Sequence, residues 1–399
     1  MKLISKVFCA GCGVCRDACP KGAIALRLDK WGFLYPKVDS MKCVDCGLCK
    51  KICPAQRGLA PQRPVSVRAV KSKDDALRLV SSSGGVFTLL ARQILSRGGK
   101  VFGAAFYVED WSVKHIGIED ESRLCLLQGS KYLQSNCDGV YRQVKEDLTA
   151  GREVLFSGTP CQIAALRAYL NLQPSISTSN LFLVEVICHG VPSGLAWKKY
   201  LEYQEAALAE GRGSALAEGR KIESISFRRK NCGWKRFSLS LRFANDRENP
   251  ICLDQDYFMR AFLGELCSRP SCLDCRFKAL RSGADITLGD YWNVAERFPD
   301  MDDDKGTSLV LLNTEKGLRL FESLRAKVIE RESDYAHACK TNGALYRSVE
   351  PHYNRNRFLI ALAKGKLRFD RLVEKYEKRT IVDRIRGRLF KQLGIKRVV

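Results

Sequence analysis

Apolar and polar positions divide the chain into segments of two kinds. "VFTLLARQILSRGG" reads as a helix from Val86, closed by Gly98 and Gly99. "KVFGAAF" (Lys100 to Phe106) follows it as a strand. "GVYRQVKEDLTAG" predicts a second helix, ended by Gly151. "EVLFSG" and "LFLVEVICHG" are unbroken apolar runs of the kind found in buried parallel strands. "FSLSLRFAN" (Phe237 to Asn245) alternates and predicts a half-exposed strand, and "SLVLLNTEKG" a buried strand and turn. Strands separated by helices imply an α/β body with a mixed sheet and antiparallel additions.

Outside residues 67–350 the pattern changes. Residues 1–55 carry short apolar stretches between cysteines, and residues 56–66 are a linker rich in Pro and Gly, within "AQRGLAPQRPVS". The first 55 residues are expected to form a small α+β ferredoxin-like module ahead of the body. "ALAEGR" occurs at Ala207–Arg212 and again at Ala215–Arg220, where an exposed helical excursion is expected. Residues 351–399 are expected to form a basic helical tail. Within it Ile381, Val382, Ile385, Leu389, Phe390 and Leu393 make an apolar stripe among Arg384, Arg386, Arg388 and Lys391. Such a stripe suits packing on the body, or docking to an acidic partner or an anionic membrane surface.

Composition narrows the class. With 399 residues and 45% hydrophobic content, the chain can bury an ordinary globular core. No segment approaches the roughly 20 apolar residues of a spanning helix. "MKLISKVF" is a short apolar start, from which no leader is expected. Eighteen cysteines, many at metal-binding spacings, point to a reducing compartment, so a cytoplasmic location is expected, peripheral to the inner membrane face if the tail docks there. The formal charge of +23 overstates the basicity, because a cube with four thiolates carries about −2 that a side-chain count omits. From Lys364 to Val399 there are 13 basic and 4 acidic residues. No nucleic-acid motif accompanies this excess, so nucleic acid is not an expected partner.

The cysteines carry the strongest chemical signal. "CAGCGVCRDACP" (Cys9–Pro20) and "CVDCGLCKKICP" (Cys43–Pro54) both read C-x2-C-x2-C-x3-C-P. Bacterial 4Fe-4S clusters use this run, and in two-cluster modules the fourth cysteine of each run serves the other cluster. One cube is therefore expected on Cys9, Cys12, Cys15 and Cys53, and the other on Cys43, Cys46, Cys49 and Cys19. Gly11, Gly13 and Gly47 leave room for backbone N–H groups near the sulfides. Zinc sites or a disulfide knot fit this spacing poorly. Two cubes mean that electrons pass through one at a time.

The body offers further candidates. "SSSGGV" precedes a helix, where Ser83, Gly84 and Gly85 let backbone N–H groups approach a phosphate; a capped helix after a turn would look the same. In "LQGSKYLQS", Gly129, Ser130, Lys131 and Tyr132 make a plausible nucleotide lining. In "VLFSGTPCQIAALR" a strand meets a helix through Gly158, Thr159 and Pro160, leaving Cys161 in the first turn, where the dipole lowers a thiol pKa. Cys188 of "CHG" stands at the end of the next apolar strand; His189 is a candidate proton donor and Lys131 a candidate for orientation or proton supply. Cysteines at the carboxyl ends of parallel strands mark the usual ligand crevice. "CSRPSCLDCRF" supplies Cys267, Cys272 and Cys275, a plant-type cluster spacing that needs a fourth ligand. Cys188 is expected to supply it, with Cys161 and its Gly158–Pro160 turn then facing a bound cofactor. The reverse assignment of Cys161 and Cys188 is the alternative, as is zinc for the metal. Cys125, Cys137, Cys232, Cys252 and Cys339 read as ordinary.

Taken together, "SSSGGVFTLLA", "GSKYLQS", "VLFSGTPCQIAALR", "CHGVPSG", "RPSCLDCRFK" with "GADITLGDYW", and "KGTSLVLLNTEKG" resemble the coenzyme F420 hydrogenase/dehydrogenase beta-subunit family across about Val67 to Gly317. The resemblance implies FAD near Ser83, Gly84, Gly85 and the Gly129–Tyr132 turn, and cluster ligation by Cys267, Cys272 and Cys275. The body would then be an α/β flavin-binding domain. The chain departs from the family at Gln128, where arginine is frequent, and at Asn293, where glycine is frequent. The implied function is an iron–sulfur flavoprotein oxidoreductase. Electrons would pass between ferredoxin or another redox protein and a small organic acceptor. A non-catalytic electron-relay subunit is the alternative.

Overall fold

The computed structural model describes residues 3–210, 221–244 and 248–378. The second "ALAEGR" copy, the last two residues of the first copy, and the apolar stripe from Ile381 to Leu393 lie outside the described residues.

The N-terminal module is built around an antiparallel hairpin, β1 (Ile24–Leu28) and β2 (Leu34–Val38), with Ile24 opposite Val38. Asp29 closes its turn by accepting from the backbone N–H groups of Trp31 and Phe33 at 3.0 and 3.1 Å. One short helix, Val14–Asp17, precedes the hairpin and another, Leu48–Lys51, follows it.

The body is organised on β3 (Ser66–Ser72), β4 (Lys100–Tyr107), β5 (Ser112–Ile118), β6 (Ser135–Asn136), β7 (Val154–Gly158) and β8 (Leu181–Val186). A separate sheet comprises β9 (Ile222–Arg229), β10 (Ser238–Phe243) and β11 (Glu248–Cys252), after which come β12 (Ile286–Asp290), β13 (Ser308–Leu312) and β14 (Val328–Ser333). The large sheet has nine strands in the order β14-β3-β13-β12-β8-β7-β4-β5-β6. Its centre, β12-β8-β7-β4, is parallel, and β14, β3 and β13 add antiparallel strands on one side.

Both faces of this sheet are covered, which explains the unbroken apolar runs. On β7, Leu155 joins a core with Leu89, Leu90 and Ile94 of the helix Val86–Leu95, while Val154 and Phe156 join Tyr141, Val144, Ile163 and Leu166 from two other helices. A third core is rich in aromatics. It holds Phe227, Leu239, Phe258 and Phe262 together with Phe33, Tyr35 and Cys9 of the N-terminal module.

Three expectations change. β10 is not half-exposed: Ser238, Leu239, Ser240 and Leu241 are all buried, because β10 is central in its sheet and its serine hydroxyls find internal partners such as Glu248. The segment after β13 continues as the helix Glu315–Glu322, started by the Thr314 side chain accepting from Gly317 N–H at 3.1 Å. Residues 355–377 form two helices whose Phe358, Leu359, Leu362, Phe369, Leu372 and Val373 enter the aromatic core, so this stretch is part of the body.

Candidate functional site

The two N-terminal cysteine runs adopt the same local geometry. Gly13 and Gly47 stand before the short helices with φ of 83° and 74°, left-handed values that glycine takes without strain. One cavity is lined by Cys9, Cys12, Cys15, Cys49 and Cys53, and a second by Cys19, Cys43, Cys46 and Cys49, so Cys49 borders both. Burial, followed by the neighbouring thiols Cys9, Cys53 and Cys49, pushes Cys15 up to about 12, and burial also raises Cys12 well above the ordinary range. Thiols held this way give up their protons only to positive charge placed among them. Gly11 lines the first cavity, and a Cβ there would also meet Gln134 Nε2 at 2.6 Å and Leu34 O at 2.7 Å, so its smallness permits close docking against the body.

That docking is extensive. Arg269 is fully buried and donates to the carbonyls of Cys9 and Leu34 at 2.9 and 2.8 Å and to Gln134 Oε1 at 2.8 Å. Gln134 donates to Ala10 O at 3.1 Å, and Arg16 to Cys137 O at 2.9 Å.

Strands β7 and β8 are parallel neighbours, and Cys161 and Cys188 follow their carboxyl ends. Thr159 and Gln162 form a reciprocal cap, with Pro160 opening the helix. Cys161 occupies the first turn as expected, but its thiol is pushed up to about 11 rather than lowered, because burial outweighs the helix dipole and the Thr159 hydroxyl at 3.2 Å. Burial raises Cys188 strongly too; its thiol also feels Cys272, Cys161 and Cys275, while the ammonium of Lys278, bonded to its carbonyl, acts the other way. Cys272 lies in the turn Pro270–Cys272, is raised to about 12 by burial, and responds to Cys275 and Cys161.

Cys161, Cys188, Cys272 and Cys275 thus come together. Cys267 does not join them: it is fully buried in the aromatic core, where its electrostatic neighbours are Glu265 and Arg355. The triplet Cys267, Cys272 and Cys275, suggested by spacing, is divided because the chain turns at Arg269–Pro270. Among the described residues no group of three or more His, Cys, Asp or Glu is arranged to hold a single metal ion.

The inner N-terminal set and the body set adjoin. Cys12 is influenced by both Cys53 and Cys161. Ala55, Ala164 and Phe277 are buried between them, with Cys53, Cys161 and Cys275 packed alongside. On the far side, Cys15 feels Cys49 of the outer set.

The expected nucleotide segments also meet. Ser130 places its N–H and its hydroxyl on Ser82 Oγ at 2.6 and 2.9 Å. Lys131 Nζ donates to Leu126 O and Gln128 O at 2.9 and 2.8 Å, and burial brings its ammonium down to about 7. Gly129 has a φ of 75° and open space where a Cβ would stand. Gly84 is different: a Cβ would strike Val70 O at 2.4 Å, so packing on β3 already demands glycine. Gly85 ends the turn at φ 89° before the helix Val86–Leu95. Ser83 is held through its hydroxyl, which donates to Thr307 O at 2.9 Å. Gly158, Thr159 and Pro160 cap the Cys161 helix and belong with the cysteine set.

Sequence reasoning missed two cations here. Arg228 is buried and donates to Ser82 O at 2.9 Å, Asp290 Oδ1 at 3.1 Å and the Tyr132 hydroxyl at 3.3 Å, while its Nε is buried without a hydrogen-bond partner. Lys230 donates to the carbonyls of Arg78, Ser83 and Lys305 at 2.6, 3.1 and 2.6 Å, and burial lowers it to about 7. Their i, i+2 spacing at the end of β9 was the available signal. Glu185 on β8 was missed as well: burial raises its carboxyl to about 7, and it accepts from Ser282 and Thr287. His189 faces Glu265 and meets the Phe262 ring edge-on at 5.2 Å, while Tyr132 reaches the same ring from 5.6 Å. Phe262 therefore connects the Gly129–Tyr132 turn with the Cys188–His189 corner.

No helix of the described residues is long and apolar enough to cross a membrane. None of the curated proteins compared with this chain matches it. One similar solved structure is the F420-reducing [NiFe] hydrogenase complex from Methanosarcina barkeri, studied by xenon derivatization; a chain of it is 17% identical, with 79% of this chain and 91% of that chain covered at a TM-score of 0.45. Residues 8–56 match the 4Fe-4S dicluster domain, and residues 151–335 match the C-terminal region of the coenzyme F420 hydrogenase/dehydrogenase beta subunit. The chain therefore carries an iron–sulfur dicluster domain ahead of a region similar to the C-terminal part of the coenzyme F420 hydrogenase/dehydrogenase beta subunit.

Proposed function

We propose that this chain is an iron–sulfur flavoprotein oxidoreductase that moves electrons between a one-electron redox protein, such as a ferredoxin, and a small organic acceptor. The observation that carries this reading is the file of three adjoining cysteine sets. The outer set is Cys19, Cys43, Cys46 and Cys49; the inner is Cys9, Cys12, Cys15 and Cys53. The third is Cys161, Cys188, Cys272 and Cys275, with Cys12 beside Cys161 at the join. Each set would hold one 4Fe-4S cube. Cys188 and Cys161 then both serve the third cube, and Cys267 does not.

The flavin reading rests on the Ser82–Ser130 junction. An FAD bound there would supply two-electron hydride chemistry, which cubes alone do not provide. The residues suit an anionic, ring-bearing nucleotide: open space over Gly129, the unpartnered Nε of Arg228, and the amines of Lys131 and Lys230. Lys131 and His189 are the proposed proton-handling groups. The Lys131 amine, near 7, holds or releases a proton at neutral pH. His189 stands between Glu265 and Phe262, at the corner nearest the third set.

The test is an anaerobic preparation of the whole chain, assayed for iron, flavin and turnover. The expected content is about 12 iron atoms, three cubes of four, and one FAD. The expected activity is acceptor reduction by the chain alone with a reduced ferredoxin. Full cofactor content without turnover of any soluble acceptor would support a relay subunit instead. Absence of flavin at full iron content would overturn the flavoprotein reading.

A further inference from the structure

Two cysteines outside the three sets meet on the small sheet. Cys252 is the last residue of β11 and pairs with Ser238 of β10. Cys232 lies in the turn between β9 and β10, which is closed by Gly233 N–H donating to Lys230 O at 3.1 Å. The Ser238 hydroxyl lies 3.8 Å from Cys232 Sγ and 3.6 Å from Cys252 Sγ, which brings the two thiols close enough to act on each other. Asn231 Nδ2 adds a contact to Cys232 Sγ at 3.4 Å. The Arg236 guanidinium, fixed on Asp254 at 2.9 and 3.2 Å, acts on both sulfurs. Cys232 is exposed and Cys252 is 8% exposed. Nothing in the sequence pattern hints at this pair, since 20 positions separate the two cysteines and neither sits in a metal spacing.

We propose that Cys232 and Cys252 form a thiol–disulfide exchange site whose substrate is a small disulfide. This goes beyond the flavoprotein reading and does not depend on it.

Cys232 is the exposed thiol and is raised as the donor of the pair. It passes its proton to Cys252 and, as the thiolate so formed, attacks one sulfur of the incoming disulfide, forming a mixed disulfide and expelling one small thiolate, which takes up the proton from Cys252. The Cys252 thiolate then attacks Cys232 Sγ, closes the Cys232–Cys252 disulfide and expels the second small thiolate. Two protein thiols are oxidised, one small disulfide is reduced to two thiols, and the two protein protons end on those thiols. The geometry suits these roles. Cys252 is lowered from the usual thiol range by hydrogen bonds from Cys232 and Ser238, with help from Arg236, so it is the better thiolate for the resolving step. Cys125 is exposed too, but the partner of its sulfur is the Ser122 carbonyl, at 3.6 Å, and not a second thiol. The disulfide would tie the Lys230–Trp234 turn to β11. That turn holds Ser83 through Lys230 and Asp290 through Trp234, so oxidation would brace residues beside the Ser82–Ser130 junction.

The test uses the whole chain, anaerobic and with clusters loaded, in buffers of rising oxidised-to-reduced glutathione ratio. Free thiols are then alkylated and peptides are mapped by mass. The expected result is a Cys232–Cys252 cross-link at intact iron content, with about tenfold less glutathione adduct on Cys232 than on Cys125. In Cys252→Ser the adduct on Cys232 should accumulate to the Cys125 level. No cross-link at any ratio that spares the iron would overturn the proposal. So would an adduct that persists on Cys232 in the wild type.

Discussion

The Tyr141 hydroxyl donates to the main-chain carbonyl of Cys12 across 2.8 Å, joining a helix of the body to the middle of the first cysteine run. Both residues are inside the molecule, and the phenol lies close enough to Cys137, Cys12 and Cys161 to be held far above its ordinary pKa, burial being the main cause. The N-terminal module is therefore fixed at a thiol that faces both its own set and the next.

Breaking this junction should loosen the module in proportion to the bonds lost. Tyr141→Phe removes one hydrogen bond, worth about 1 kcal/mol. Arg269→Ala removes three and strands buried carbonyls, costing on the order of 3 kcal/mol or more. Thermal unfolding of the cluster-loaded chain should rank wild type, Tyr141→Phe and Arg269→Ala in that order. An Arg269→Ala chain as stable as wild type would mean that the module is tethered only through the linker.

Arg228 should matter to flavin content. Arg228→Lys keeps a cation but cannot span Ser82 O, Asp290 and Tyr132 together. The expected outcome is about tenfold weaker flavin retention with iron content unchanged, measured by ultrafiltration and absorbance. Equal loss of iron and flavin would indicate a purely structural arginine.

Glu185 sets a dependence on pH. Its folded pKa is raised to about 7 against an ordinary value of 4.5, so the folded state holds a proton that the unfolded state releases. Stability from this group is complete below about 4.5 and is lost as pH rises through 7. Glu185→Gln removes the term, so the variant should gain on wild type by up to about 3 kcal/mol between pH 4.5 and 7. Buried His115 has the opposite sign. It is lowered to about 4 by burial between Ser135 and Ser157, and its contribution is lost as pH falls from about 6.5 to 4. Chemical denaturation at several pH values should show the Glu185→Gln curve rising relative to wild type; parallel curves would refute the assignment.

Local signals in the sequence were sufficient for the regular elements. The helix from Val86, the strand from Lys100 and the runs at Val154 and Leu181 all appear where the apolar pattern put them. The paired glycine–cysteine runs were legible because their chemistry is local. The grouping in the body was not, since it depends on tertiary direction. Cys161 and Cys188 meet because β7 and β8 are parallel neighbours, and Cys267 turns away at Arg269–Pro270. The alternation of β10 hid its burial, because its serines are satisfied internally and so read as solvent-facing. Arg228 drew no reading from the sequence, because only the fold supplies the Ser82, Asp290 and Tyr132 partners that hold it inside. Asn293 departs from a frequent glycine at a residue with φ of 53°, a left-handed value that asparagine tolerates better than most side chains.

The central claim is that electrons pass in file through the third cysteine set to reach the flavin. The direct measurement is rapid anaerobic mixing of the loaded chain with a reduced ferredoxin, following cluster and flavin absorbance together, in wild type and in Cys272→Ser. Flavin should bleach after the clusters in wild type. In Cys272→Ser, with flavin retained and the two N-terminal cubes intact, those cubes should still be reduced while flavin bleaching slows by about a hundredfold or more, on the order of 3 kcal/mol in barrier. Flavin reduction at the wild-type rate in that variant would contradict the route.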